Sequence, residues 1–306
     1  MSKRRFFGKT GVSLSPITLG TMRFSNERVG PQSQAVSLLE YLYNNGIDTY
    51  HTSHEYETHP FFCDVYKKFQ QQNPAIETTH IVKLASPHFE ETDFSFDSLE
   101  QNVNAQLQAL DIEQIDIVQW LFRQKNNVDE VRIPKLLDSM QLIDDSFNKL
   151  IQSGKVRSFA CFPYSLAFAE IVNQHDLVDG FIDYLNITEH QWAAIIQNKA
   201  FEQSGFIAIR PLFAGKILQW QDEKKTLLSQ FLKKTMGQTE LVQWALSYPL
   251  LHPKVASSVL SISDLPQADV AIRACEDSHP LGDNNAFIDA THFIKNNYAP
   301  QLKEHL

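Results

Sequence analysis

Lys83 stands inside the apolar run HIVKLA (80–85). An ammonium on an otherwise hydrophobic strand is costly to bury unless it is paired. It therefore either sits exposed at a strand end or faces a partner inside the fold. Upstream, GIDTYHTSHEY (46–56) and the residues after it bring His51, His54, Glu55, Tyr56 and His59 close together in sequence. Imidazole and carboxylate at this density suit zinc or iron. No zincin pattern accompanies them, however, and strand alternation puts His51 and His54 on opposite faces of an extended chain, so no metal ligand set is assigned. Tyr56 by itself reads as an ordinary half-buried phenol with its hydroxyl bonded. Trp120, Phe122, Phe162, Tyr164 and Phe213 fall near the ends of apolar runs; they either line an aromatic substrate pocket or pack in the core. Cys63, Cys161 and Cys275 lie far apart with no CxxC pair, which supports neither a disulfide scaffold nor a thiolate metal site. Cys161 reads as a buried core thiol.

Extended and helical patterns alternate along the whole chain. Candidate strands are Pro16–Thr21, Ile47–Tyr50, His80–Ala85, Ile115–Leu121, Ser158–Pro163, Phe181–Ile187, Phe206–Leu212 and Val255–Ile262. Several lack polar alternation, as strands buried on both faces of a parallel sheet do. Helical spacing links Ala35, Leu38, Leu39 and Leu42 behind a Ser33 cap, and Leu99, Val103, Leu107 and Leu110 behind an Asp97–Glu100 capping pattern. A longer helix carries Leu136 to Ile151 and stops at Gly154, and others are expected over 164–175, 190–203, 238–247 and 266–276. Segment 126–132 reads as a solvated loop. Eight alternations predict a (β/α)₈ TIM barrel spanning 1–306 as one domain. RRFFGKTGVSLS before the first strand predicts a small hairpin that plugs the barrel's N-terminal end. An open doubly wound sheet would carry a glycine-rich phosphate turn after its first strand; LGTMRFS has only Gly20 there, and the chain has 11 glycines in all.

The 306 residues include 43% hydrophobic and 21% charged residues, enough to build a large core. Asp and Glu number 36 against 27 Lys and Arg, a net charge of −9. That balance argues against non-specific nucleic-acid binding, which needs clustered basic charge. MSKRRFF is followed by no apolar signal region, and no run approaches the ~18 apolar residues of a membrane span. The expectation is a soluble cytoplasmic protein acting on a small molecule, with its oligomeric state open.

LGTMRF (19–24), GIDTYHTSHEY (46–56), HIVKLA (80–85), IDIVQW (115–120), GKVRSFACF (154–162) and IRPLFAG (209–215) follow one another in an order and spacing that resemble an aldo-keto reductase, from about residue 5 to about residue 275. The resemblance implies a barrel that reduces an aldehyde or ketone with NADP or NAD as cofactor. It implies a Tyr that protonates the carbonyl oxygen, a Lys that lowers the Tyr pKa, an Asp paired with that Lys, and a His that orients the substrate. Tyr56 falls on the Tyr and Lys83 on the Lys. His51 takes the Asp position, and the tetrad His falls near Leu121. His51 beside Lys83 is then expected to stay neutral, because two cations there would repel, and to hydrogen-bond Tyr56 or substrate. The resemblance places Thr21, Arg210, Leu212 and Ser261 along the cofactor, and Trp120, Phe122 and Phe162, from their places at predicted strand ends, are the candidates for the substrate pocket. Phe162-Pro163 replaces the family's Ser-Asn clamp on the nicotinamide carboxamide and offers no side-chain hydrogen bond. The Gln of the sixth strand maps near Ile182, with Asp183 and Asn186 as stand-ins. Arg210 suits a pyrophosphate. Ser261 to Asp264 supply no cation for a 2′-phosphate, so NAD is less disfavoured than NADP. Two readings stay open: a working NAD(P)H-linked carbonyl reductase, and a reductase-like barrel that binds or regulates without transferring hydride.

Overall fold

The computed structural model describes residues 4–189, 191–219 and 238–276. A two-stranded antiparallel hairpin, β1 (Arg5–Phe6) and β2 (Ser13–Leu14), precedes eight parallel strands. These are β3 (Ile17–Gly20), β4 (Thr49–Thr52), β5 (Thr79–Ala85), β6 (Ile115–Leu121), β7 (Val156–Cys161), β8 (Gly180–Tyr184), β9 (Gly205–Ile209) and β10 (Val255–Leu260). They close in sequence order, β10 pairing with both β9 and β3. This is a (β/α)₈ barrel with an extra N-terminal hairpin.

Helices follow most strands and bury one stripe each against the sheet. Gln32–Asn44 buries Ala35, Val36, Leu38, Leu39 and Leu42. Phe96–Leu110 is capped by Ser95, whose hydroxyl accepts from the Ser98 amide, so the cap lies two residues before Asp97. The helix His59–Gln72 was not expected, although Phe62, Tyr66 and Phe69 recur at helical spacing and are buried. Segment 126–132 is only partly a loop. The helix Asp129–Gln152 begins inside it, and Arg132 is buried, donating to the carbonyls of Phe122 and Pro163 and lying over the Phe168 ring. Of the helix expected over 190–203, the described part shows two short turns, Gln191–Ile195 and Lys199–Phe201; residue 190 lies outside the described residues.

The hairpin closes the barrel floor. Phe7, Val12 and Leu14 pack with Ile81, Ile117, Ala160, Ile182, Ile207 and Ala256, the inward side chains of the strands. Gly180 and Gly205 permit this, because a Cβ at either would run into the Phe7 ring. With the floor sealed, the open C-terminal ends of the strands are where such a barrel carries chemistry. Among the described residues no helix is long and apolar enough to cross a membrane.

Candidate active site

Strand alternation decides which residues see the barrel interior. On β4, Tyr50 packs outward against Phe62 and Tyr66, so His51 points inward. On β5, Ile81 is inward and Lys83 follows it. On β6, Ile117 is inward, then Gln119 and Leu121. Alternate strands share a layer in this fold, and His51 Nε2 meets Gln119 Oε1 at 2.5 Å. The Gln oxygen only accepts, so Nε2 carries the proton and donates. Burial, opposed by this hydrogen bond and reinforced by the nearby Lys83 charge, lowers the His51 pKa to about 4. The ring is neutral at physiological pH.

Beyond Thr52 the chain turns. Tyr56 donates its amide to the Ser53 carbonyl, His59 donates to the Tyr56 carbonyl, and the Glu55 amide donates to Ser53 Oγ. The turn delivers Glu55 and Tyr56 to the mouth. Lys83 Nζ donates to Glu55 Oε2 at 2.7 Å and lies 5.1 Å from the centroid of the Tyr56 ring. The His51 ring is 6.4 Å from that of Tyr56. Arg123 donates to Glu55 Oε1 at 2.7 Å and, through Nε, to the Tyr164 hydroxyl at 2.7 Å. Phe162 packs edge-on against Tyr164 at 4.7 Å and against Tyr184 at 5.5 Å, and Arg210 lies 4.2 Å over the Tyr184 ring. One line of contacts thus crosses the mouth from Tyr56 to Arg210. Two residues of that line, Tyr164 at φ 62° and Arg210 at φ 58°, are non-glycine residues in the left-handed region, a conformation that persists only where its surroundings enforce it.

The charges of the site are shared. Burial works to raise the Glu55 pKa, but the hydrogen bonds and charges of Lys83 and Arg123 outweigh it and hold the carboxyl below its ordinary value. Burial lowers Lys83, against the pull of Glu55. Tyr56 moves the other way from expectation. Burial, then the Glu55 carboxylate, pushes its phenol up rather than down, and the opposing Arg123 charge does not offset them.

His51, Tyr56, Lys83 and Phe162 therefore meet at the mouth. Trp120 and Phe122 do not. Both point outward and are fully buried between barrel and helices, with Trp120 against Phe147 at 5.2 Å and Phe122 against Phe168 at 5.9 Å. Thr21 is buried, and its hydroxyl donates to Thr52 Oγ1 at 2.9 Å, so that hydroxyl has no proton free for a cofactor. Leu212 packs against the outer core. Ser261 directly follows β10 and is partly exposed. Asp183 points outward, accepts from the Trp192 indole and is raised by burial to about 6. Asn186 is taken up by Thr188, Glu189 and the Arg210 carbonyl. Neither can stand in for the Gln. His54 is exposed, and His59 Nδ1 bonds Thr52 Oγ1, so the His/Glu cluster read from the sequence does not converge. Glu55 as the lysine's partner, Arg123 and Tyr184 escaped the sequence reading. Period-two alternation from Gln119 and Ile182 points to the last two.

The mouth suits part of a nicotinamide dinucleotide. Arg210 is an exposed guanidinium for the diphosphate, and the half-buried Tyr184 beneath it and the buried Phe162 are the aromatic side chains beside it. Phe162, Pro163 and Ile182 give its carboxamide no side-chain donor. A separate cavity of about 830 Å³ opens at the opposite end of the barrel, lined by Arg4, Asp48, Thr79, His80, Asp116 and Arg157 among others. It lies at the end that serves stability in this architecture, far from the Lys83 cluster in the fold.

The buried imidazoles set an acid limit. His51 falls from an ordinary 6.5 to about 4, and His80, also by burial, to about 3. Unfolded, both titrate near 6.5. Their neutral burial therefore contributes fully above that pH, and the contribution is lost as pH falls from 6.5 towards 4 for His51, on the order of 3 kcal/mol at most. Urea midpoints measured between pH 7 and pH 4 are expected to drop less steeply for His51→Gln than for the parent; parallel slopes would show that His51 is not buried neutral.

The model of the Aldo/keto reductase family matches residues 16–285. Among solved structures, an aldo-keto reductase from Bacillus halodurans in its holo form superposes with TM-score 0.68 at 15% identity, covering 95% of this chain and 96% of that one. An aldo-keto reductase from Klebsiella pneumoniae in complex with NADPH superposes with TM-score 0.65 at 13% identity, covering 90% of each chain. At these identities the likeness is one of fold. No curated protein matches the chain.

Proposed function

This chain belongs to the aldo/keto reductase family, a family of oxidoreductases, and from that premise we propose that it reduces an aldehyde or ketone at the C-terminal mouth of its barrel, with Tyr56 as the proton donor. The observation that carries this reading is the Lys83 ammonium 5.1 Å from the centroid of the Tyr56 ring, with the neutral His51 ring 6.4 Å from it. When bound, the dinucleotide would supply the hydride. Arg210 would hold its diphosphate, and Phe162 and Tyr184 would lie beside its ring. The chain's own task is protonation. Tyr56 carries its proton throughout the physiological range and releases it from Oη to the carbonyl oxygen as negative charge develops there. Lys83 offsets the charge left on the phenolate. His51, fixed through Gln119, presents a neutral imidazole beside them. Asp264, whose carboxylate caps the helix Leu265–Glu276 through the Gln267 amide, adds negative charge just past β10. It favours NAD over a cofactor with a 2′-phosphate.

Titration with NADH and NADPH, followed by nicotinamide fluorescence, tests the reading together with turnover of an aromatic aldehyde. NADH is expected to bind more tightly, and failure of both to bind at millimolar concentration would end it. Arg210→Ala is expected to weaken dinucleotide binding about tenfold or more, by removal of a charged hydrogen bond, and to flatten its salt dependence. An unchanged affinity would place the diphosphate elsewhere.

A second reading is favoured by Phe162-Pro163 at the carboxamide position and by the raised phenol of Tyr56: a barrel that binds its ligand without transferring hydride. Dinucleotide binding without turnover of any carbonyl compound separates it from the first.

A further inference from the structure

We propose that Glu55, clamped from behind by Arg123, is the positioning residue that sets the protonation and the place of the Lys83 ammonium. The inference rests on the reading of Tyr56 as proton donor only for its consequence in catalysis; its geometry stands alone. Both carboxylate oxygens are engaged, Oε2 by Lys83 and Oε1 by Arg123, each at 2.7 Å. Neither end of the bridge is loose. The Glu55 amide is tied to Ser53 Oγ, whose hydroxyl in turn donates to the carbonyl of Lys83 itself at 3.1 Å, so the turn and β5 are locked in register. Arg123 is held by Tyr164, and its guanidinium lies 4.8 Å over the Phe89 ring. The Lys83 and Arg123 side chains are 14% and 9% exposed, so two cations are brought out of water around one anion. Without the anion they would repel each other at close range.

The groups facing Lys83 come from four elements. They are His51 on β4, His54, Glu55 and Tyr56 in the turn after it, His88 beyond β5, 3.8 Å from Glu55, and Arg123 beyond β6. Glu55 alone among them is anionic at neutral pH. It raises the Lys83 pKa, and Arg123 lowers it. The two neighbours of one ammonium therefore act with opposite sign.

The test is the pH dependence of Lys83 acetylation by an N-hydroxysuccinimide ester, read by mass spectrometry on the full chain. Glu55→Gln is expected to move the labelling midpoint of Lys83 to lower pH, and Arg123→Met to move it to higher pH. Glu55→Asp, which keeps the charge, is expected to return part of the first shift. Midpoints that stay put, or move in the same direction in both variants, overturn the proposal. If Glu55→Gln fails to fold, Arg123→Met alone decides, since a downward or absent shift contradicts the shared carboxylate. The alkaline limb of the kcat profile is expected to follow the labelling midpoint in each variant. Labelling that shifts as expected in a protein whose turnover ignores it would leave Glu55 in its role and remove Tyr56 from the chemistry.

Discussion

Tyr56→Phe is expected to lower kcat for carbonyl reduction by about 10²- to 10⁴-fold, the range that a positioned general acid contributes, while dinucleotide affinity stays within about twofold of the parent, since the lost hydroxyl serves the substrate oxygen. The substitution removes one oxygen and little else. The ring remains to face the Lys83 ammonium at 5.1 Å, Lys83 remains paired with Glu55, and Arg210 lies across the mouth on Tyr184. A loss confined to kcat identifies a group that acts in the transition state rather than in binding. Lys83→Met is expected to be less clean, since it leaves Glu55 paired only with Arg123. Steady-state kinetics with fluorescence titration make the comparison, and a Tyr56→Phe rate equal to the parent's would show that another group supplies the proton.

Phe7→Ala is expected to cost about 3–5 kcal/mol, the usual loss when a buried phenylalanine is truncated. Phe7 is fully buried and fills the barrel floor among Ile81, Ile117, Ile182 and Ile207, yet it lies before residue 16, where the family match begins. The cost is expected as a lowered urea midpoint with dinucleotide affinity retained, because the floor and the mouth are at opposite ends of the strands. Gly205→Ala offers a cross-check. Its new Cβ would meet the Phe7 ring and the Gly8 amide, so it overpacks the parent, and part of its cost is expected to vanish in the Phe7→Ala background. Additive costs would mean that ring and glycine do not touch.

The sequence by itself determined the barrel. Eight short apolar runs separated by helical periods, with a lone Gly20 after the first strand, leave little else for the chain to form, because a strand buried on both faces must be apolar and a surface helix must carry one apolar stripe. Lys83 was legible for the same reason: a charge in such a run is too costly to lack a partner. Which partner it has was not legible. Glu55 is 28 residues away in sequence, and only the turn after β4 swings its carboxylate to Lys83 and brings its neighbour's ring to 5.1 Å from the ammonium. The facing of Trp120, Phe122 and Arg123 depended on the phase of an alternation that composition does not fix. Two outward aromatics read as pocket, and an inward arginine passed unnoticed, until the packing of β6 against the helices set the phase. The upward shift of Tyr56 belongs to the same level. A pKa follows burial and nearby charge, and the burial and the Glu55 carboxylate that raise this phenol are set by the folded chain.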